Sequence, residues 1–364
     1  MTKRMVKLRP SRGGDRDLTL DIVSHGRRGP GAVLRFGQEQ IQQIKRTVSR
    51  TPEVMVKVSG GGRDSGGVGA HLKYIGRHGK LPLETDEGLV LEGKDAALEI
   101  AEDWHLDQCR SQYRPKPAEG EKDTRPKLVH NIVLSMPAGT PPEKVLAAAR
   151  IFARENFALQ HRYAMALHTD QGHPHVHLVV KCEHEYEPGK RLYIRKDTLR
   201  RWREQFAELM REQGVAANAT PRQIRGQLRR PQRGAIHHRL RAMRAFGQLS
   251  AAERSQRISP MPSTVMREKV MAMVKALKRG DGSIEQGRET LQRTRDAVSG
   301  DWQVTAQTLR RQGETELAAQ VERFAHQLPR VQTDAQRLAE QWQAWQRPRT
   351  PERSRSRRPD ERSQ

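Results

Sequence analysis

Four histidines and one aspartate fall within the ten residues His168-Thr-Asp170-Gln-Gly-His173-Pro-His175-Val-His177, and an apolar run, Leu178-Val-Val180, follows at once. In a strand, side chains at i and i+2 share a face, so His175 and His177 project together and Val176 points away. His168, closing the segment Tyr163-Ala-Met-Ala-Leu-His168, supplies a third imidazole. Three protein nitrogens leave positions on a metal ion open to water or substrate, the arrangement of a catalytic rather than a closed structural site. Burying so many imidazoles without partners is costly, which a bound cation would offset. The plainer alternative is a solvated, hydrogen-bonded cluster that binds nothing.

The elements that must hold these side chains follow from period and punctuation. Strands are predicted at Leu18–Val23, Val54–Val58, Val129–Ser135, 162–168, 175–182 and Arg191–Ile194. Helices are predicted at Ala70–Arg77, Lys94–Arg110 and from Thr140 to about Ala158, with Thr140 as N-cap, Pro141 at the first helical position and Glu143 completing a capping box. A further helix is capped by Asp197, carries an apolar face of Leu199, Trp202, Phe206 and Leu209, and ends at Gly214. Such interleaving predicts an α+β fold with a central antiparallel sheet and flanking helices over residues 51–235. Residues 1–50, basic and rich in Gly, Arg and Ser, read as a mostly flexible arm. Residues 236–346 read as a helical C-terminal region, with stripes at Met266, Val270, Met273, Val274 and Leu277 and at Leu317, Val321, Phe324 and Leu328. Residues 347–364 read as a disordered basic tail.

Composition narrows the partner. A net charge of +24 over 364 residues suits a polyanion, and nucleic acid before a membrane surface. No apolar run is long enough to span a bilayer and no signal peptide is evident, so a cytoplasmic protein without membrane insertion is expected. Cys109 and Cys182, the two cysteines, form no Cys-x-x-Cys pair, which argues against a disulfide scaffold or a thiolate zinc site. Aromatic residues make up 4% of the chain, so stacking of bases on an aromatic platform is not the expected mode of binding. The glycine-rich stretch Ser59–Gly69 lacks the Gly-Lys-Ser/Thr ending of a P-loop and reads as a flexible connector that closes over a ligand.

Three segments in order resemble the relaxases of conjugative and mobilisable plasmids, in the MobP/VirD-type branch of the HUH endonuclease superfamily. Leu72-Lys-Tyr74-Ile-Gly-Arg-His-Gly-Lys80 resembles the motif that carries the nucleophilic tyrosine. His130-Asn-Ile-Val-Leu-Ser135-Met-Pro137-Ala-Gly139 resembles the second, a strand ending in Ser-x-Pro-x-Gly, and His168 to His177 resembles the HUH signature itself. The likeness covers about residues 50 to 235, and the long basic stretch ahead of Tyr74 departs from it. It implies a palm-like HUH domain that nicks one strand of single-stranded or extruded transfer-origin DNA and later religates it. It implies Tyr74 as nucleophile, joined to the 5′ phosphate, Ser135 near the DNA backbone, and Mg²⁺ or Mn²⁺ as the ion. Three imidazoles by themselves favour zinc, nickel or copper, so Zn²⁺ stays open.

Around those residues the side chains suggest further roles. Tyr74 stands among Lys73, Arg77, His78 and Lys80, of which Lys73, Arg77 and Lys80 are expected to bind DNA. Asp170 has two available roles, orienting an imidazole or taking the tyrosine proton. His173 faces solvent or DNA, and His130 is more often a core histidine than a fourth ligand. Tyr163 and Tyr193 are expected to pack, and Tyr113 and Tyr186 fall in polar loops. Accessory relaxosome proteins and a coupling protein are the further partners implied. A rolling-circle replication initiator, a basic nucleic-acid-binding protein with a structural metal clip and a His-coordinated oxygenase remain as rivals. Tyr74 has no second tyrosine three or four residues away, which counts against the first.

Overall fold

The computed structural model describes residues 35–109, 123–170, 172–187, 189–227 and 288–333, with isolated positions between 117 and 340. The strand expected at 18–23, the Met266–Leu277 stripe and the 347–364 tail lie outside the described residues. The chain divides into two compact units, residues 36–221 and residues 222–364 with 1–35.

The first unit is built on one antiparallel sheet in the order β1-β4-β6-β5-β2-β3. Its strands are β1 (Met55–Gly60), β2 (Leu83–Thr85), β3 (Val90–Leu91), β4 (Val129–Ser135), β5 (Tyr163–His168) and β6 (His175–Lys181). The helices are α1 (Gln38–Val48), α2 (Ser65–Ile75), α3 (Ala96–Asp103), α4 (Pro142–Phe157) and α5 (Lys196–Glu212). The strands alternate, and the two faces bury different partners. Val56, Ile132, Leu134, Met165, Val176, Leu178 and Val180 pack against α4 and α5, where Phe152 is fully buried. Its ring lies 5.8–6.2 Å from those of Phe157, Trp202 and Phe206. Phe152→Ala removes the centre of that cluster. A loss of about 3–5 kcal/mol is expected, read as a lowered urea midpoint for the full chain.

On the opposite face Val129, Ala164, Ala166 and Val179 pack under α2 and α3. The small side chains of Ala164 and Ala166 let α2 lie close, with Val68, Leu72 and Ile75 buried beneath it. The glycine-rich stretch is half helix rather than a connector. Asp64 caps α2 by accepting from the Gly67 amide at 2.7 Å, and the helix runs on through Gly69. Gly61 has a packing reason, since a Cβ there would run into the Val129 carbonyl of β4.

Several boundaries differ from expectation. The N-cap of α4 is Pro141, and the Thr140 hydroxyl donates to the Pro137 carbonyl at 2.9 Å instead of capping. Arg195, not Asp197, is the N-cap of α5; Asp197 sits in the first turn, where a negative charge favours the helix N-terminus. Residues 191–194 form no strand, only a bridge between Glu183 and Arg191. The α3 segment stops at Asp103, and after Trp104 the backbone turns left-handed at His105 (φ 45°) before a 3₁₀ turn at Leu106–Gln108. Within the stretch read as an arm, α1 is ordered and buries Ile41 and Ile44 within the first unit. Cys109 and Cys182 are buried free thiols, and burial pushes both up to about 12.

In the second unit α6 (Arg288–Arg311) and α7 (Thr315–His326) form a helical hairpin. Trp302 packs its ring 5.1 Å from that of Phe324 and donates its indole N–H to the Ile224 carbonyl at 3.0 Å. Leu317, Val321, Phe324 and Leu328 are buried, as their spacing predicts. Among the described residues no helix is long and apolar enough to cross a membrane.

Candidate metal centre and nucleophile

The register of the three central strands assembles the histidines. His168 on β5 lies opposite His175 on β6, and His175 lies opposite Ser135 on β4. His177, one pleat along, faces Ala166 and Val133. All of these side chains share the face under α2. One ring nitrogen from each of His168, His175 and His177 lies within 4.8 Å of the others.

Two of the imidazoles have their tautomers set by backbone carbonyls. His168 donates Nε2–H to the Ile75 carbonyl at 2.6 Å, which leaves its lone pair on Nδ1. His175 donates Nδ1–H to the His173 carbonyl at 2.9 Å, which leaves Nε2 free. Backbone partners of this kind orient metal-binding histidines. Nδ1 of His168 and Nδ1 of His177 are buried without any hydrogen-bond partner. An orphaned buried nitrogen costs about 1–3 kcal/mol, so this donor set fits a cation. Burial lowers the pKa of His168 and holds His177 down to about 3, where the neighbouring imidazoles and Arg77 further disfavour a proton.

Tyr74 sits in the last turn of α2, 48% exposed. Its ring centroid is 6.3 Å from that of His177, edge on, and 6.0 Å from that of His71, stacked. Nε2 of His71 is buried without a partner, and burial lowers the pKa of that ring. The helix end is tied to the site twice. The Ile75 carbonyl, which α2 leaves without an intrahelical partner, accepts the hydrogen bond from His168. Arg77 then places its guanidinium 5.4 Å from the Tyr74 ring centroid and donates to Asp170 at 2.5 Å. Arg77 and His78 hold left-handed backbone at φ 49° and 56°, strain of about 1–3 kcal/mol each.

The structure therefore brings Tyr74, His168, Asp170, His175, His177 and Ser135 to one end of one sheet face. Asp170 is engaged by Arg77 and hydrogen-bonds no imidazole among the described residues. His173 is exposed and contributes its carbonyl rather than its ring. Ser135 is buried, its hydroxyl donating to the Met136 carbonyl at 3.4 Å. Lys73 and Lys80 are exposed close to Tyr74 in sequence, whereas Arg77 is half-buried as a brace. His130 is not part of the site. It pairs with Val180 on the α4–α5 side of the sheet, contacts the Leu192 carbonyl at 3.3 Å, and burial holds it down to about 4. His71 is the one site neighbour that the sequence reading leaves out; its spacing of three from Tyr74 on a helix is the available signal.

Residues 92–215 match the family model described as "Relaxase: MobA/VirD2-like, nuclease domain". That span includes the three histidines and Ser135 and begins after Tyr74. The chain is similar to the "T-DNA border endonuclease VirD2" of Rhizobium radiobacter, 29% identical over 184 residues, 48% of this chain and 42% of that protein. The protein of that name from Agrobacterium fabrum (strain C58 / ATCC 33970) is 29% identical over 182 residues, 46% and 39% of the two chains. The chain thus spans about two-fifths of the length of these curated relatives. A solved structure described as "Molecular Basis of Vancomycin Resistance Transfer in Staphylococcus aureus" covers 47% of this chain and 98% of its own, at 14% identity and a TM-score of 0.28. That likeness is too slight to argue from, and the fold assignment stands on the sheet.

Proposed function

From the MobA/VirD2-like relaxase nuclease domain that this chain carries, we propose that it nicks one DNA strand at an origin of transfer and rejoins it through a tyrosine-5′-phosphate intermediate. The observation that carries this reading is a tyrosine in the last turn of its helix whose ring centroid lies 6.3 Å from that of His177 in a three-histidine cluster. Tyr74 Oη attacks the scissile phosphorus, the P–O3′ bond breaks, and the 3′ oxygen leaves with a proton. The phenolic proton must be removed, because a free tyrosine has a pKa of about 10. The Arg77 guanidinium, 5.4 Å from the ring centroid and bonded to Asp170, braces the ring in its place beside the histidines. The phosphotyrosine keeps the energy of the broken phosphodiester, so the reverse attack by the 3′ hydroxyl needs no nucleotide.

His168, His175 and His177 would hold a divalent ion, which would supply charge stabilisation to the reacting phosphate. Mn²⁺ or Mg²⁺ is our reading, because three protein donors would leave positions for phosphate oxygens and water, with Zn²⁺ the alternative that the nitrogen donors favour. The substrate is single-stranded or extruded DNA, gathered by the chain's positive charge. The α6–α7 hairpin, in the other unit, is our candidate for docking accessory relaxosome proteins or a coupling protein. A cytoplasmic site of action in a bacterium agrees with this chemistry.

The test is a denaturing gel. Labelled single-stranded oligonucleotides tiled across the replicon that encodes the chain are incubated with the full chain and Mn²⁺, with and without chelator. A metal-dependent covalent adduct at one sequence is expected; tight binding with no adduct at any sequence would reduce the chain to a binding protein.

Arg77 gives a second expectation. Arg77→Ala should slow adduct formation about tenfold while weakening oligonucleotide binding less than about threefold. Arg77→Lys should not restore the rate, since an ammonium cannot lie flat on the ring and bridge to Asp170. Equal losses in binding and rate would make Arg77 a phosphate contact instead.

A further inference from the structure

Among the described residues, the sheet face that carries the histidines is covered on one side only. Over β5 and β6 it lies under α2, which packs on Ala164, Ala166 and Val179. On the outer strand β1, Met55, Lys57 and Ser59 are exposed, while Val56 and Val58 pack toward α4 and α5. Strand register places this exposed row relative to the site. Met55 lies opposite Ser135, which lies opposite His175. Lys57 lies opposite Val133, which lies opposite His177. Adjacent strands are about 4.8 Å apart, so the Lys57 backbone is about 10 Å from that of His177, and its four-carbon stem spans part of the gap. Met55, 45% exposed, offers an apolar surface beside it.

In-line displacement puts the entering and leaving oxygens on opposite sides of the phosphorus. Tyr74 enters from α2, on the β5–β6 side. The leaving 3′ oxygen and its strand must therefore run away from α2, over β4 and β1. Resting on the nicking reading above, we propose that the exposed face of β1 seats the DNA on the 5′ side of the nick. Lys57 pairs with the first phosphate 5′ of the scissile one, and Met55 packs against the nucleotide next to it. This seat keeps the released 3′-hydroxyl end in place for rejoining, so it acts on the return reaction as well as on nicking.

The experiment uses the full chain and the adduct-forming oligonucleotide, with one phosphate at a time replaced by a neutral methylphosphonate on either side of the nick. Neutralising the first 5′ phosphate should weaken wild-type binding about fivefold and reduce the salt slope by about 0.7. Lys57→Gln should show the same loss on native DNA, no further loss on that neutralised oligonucleotide, and full sensitivity to neutral phosphates on the 3′ side. Met55→Ala should lower the fraction of adduct that rejoins. A Lys57→Gln effect that adds to neutralisation at every phosphate, or couples to one on the 3′ side, overturns the proposal while leaving the nicking reading intact. Absence of any wild-type adduct overturns both.

Discussion

Tyr74→Phe should abolish the protein–DNA adduct, by a factor of at least about 10⁴, while binding of the same oligonucleotide changes less than about threefold. The size follows from removing the nucleophile itself, after which what survives is weak background chemistry. The small change in binding follows from the ring staying in place. Phenylalanine keeps the stack on His71 and the contact with Arg77 and loses one hydroxyl on a half-exposed side chain, worth about 0.5 kcal/mol. No other described tyrosine is placed to substitute. Tyr163 is buried on β5, on the face toward α4. Tyr186 and Tyr193 are exposed, but they follow Lys181, at the end of β6 remote from His175. Tyr193 thus faces solvent rather than packing, because residues 191–194 never join the sheet. An adduct that persists in Tyr74→Phe would send the search to Tyr113, outside the described residues. The readout is the shifted band on a denaturing gel beside a fluorescence-anisotropy titration of the same samples.

How far the sequence carries this site depends on strand length. β4, β5 and β6 run six or seven residues, enough for alternation to show which side chains share a face. The pairing of His175 with His177 is therefore legible in the alternation alone, and His168 follows from ending the preceding strand. β2 and β3 are three and two residues long, too short to carry a period, and they leave no signal. α1 is hidden by composition, since Gln-rich polar residues surround the few apolar ones that anchor it. α2 is foreshortened in the sequence because its glycines read as a loop, and the Asp64 cap that starts it is one polar residue among several. Arg77 shows the harder limit. A basic residue three positions after the tyrosine suggests a phosphate contact, and nothing local signals that Asp170, 93 residues later, takes it up. Long-range register makes that bridge, and register is not written in any one segment.

The second large effect concerns the histidines. His177→Ala and His175→Ala should each lower Mn²⁺ affinity, and with it adduct formation, by at least about a hundredfold. Each removes one of three donors from a site whose remaining positions go to water and substrate. The loss should exceed that of an ordinary surface ligand, because the nitrogens are pre-set. His168 and His175 are already turned by the Ile75 and His173 carbonyls, and the orphaned Nδ1 atoms gain the partner they lack. Oligonucleotide binding without metal should be nearly unchanged, since the Lys and Arg side chains that meet phosphates stay in place. His130→Ala is the control. It sits on the other face, so it should leave Mn²⁺ affinity untouched, although the repacking around Leu192 should lower stability. Chelator should reduce wild-type adduct to the level of His177→Ala and have no further effect on the variant. Isothermal titration with Mn²⁺ alone gives the affinity independently of turnover. Equal Mn²⁺ binding by wild type and His177→Ala would remove the metal from this cluster.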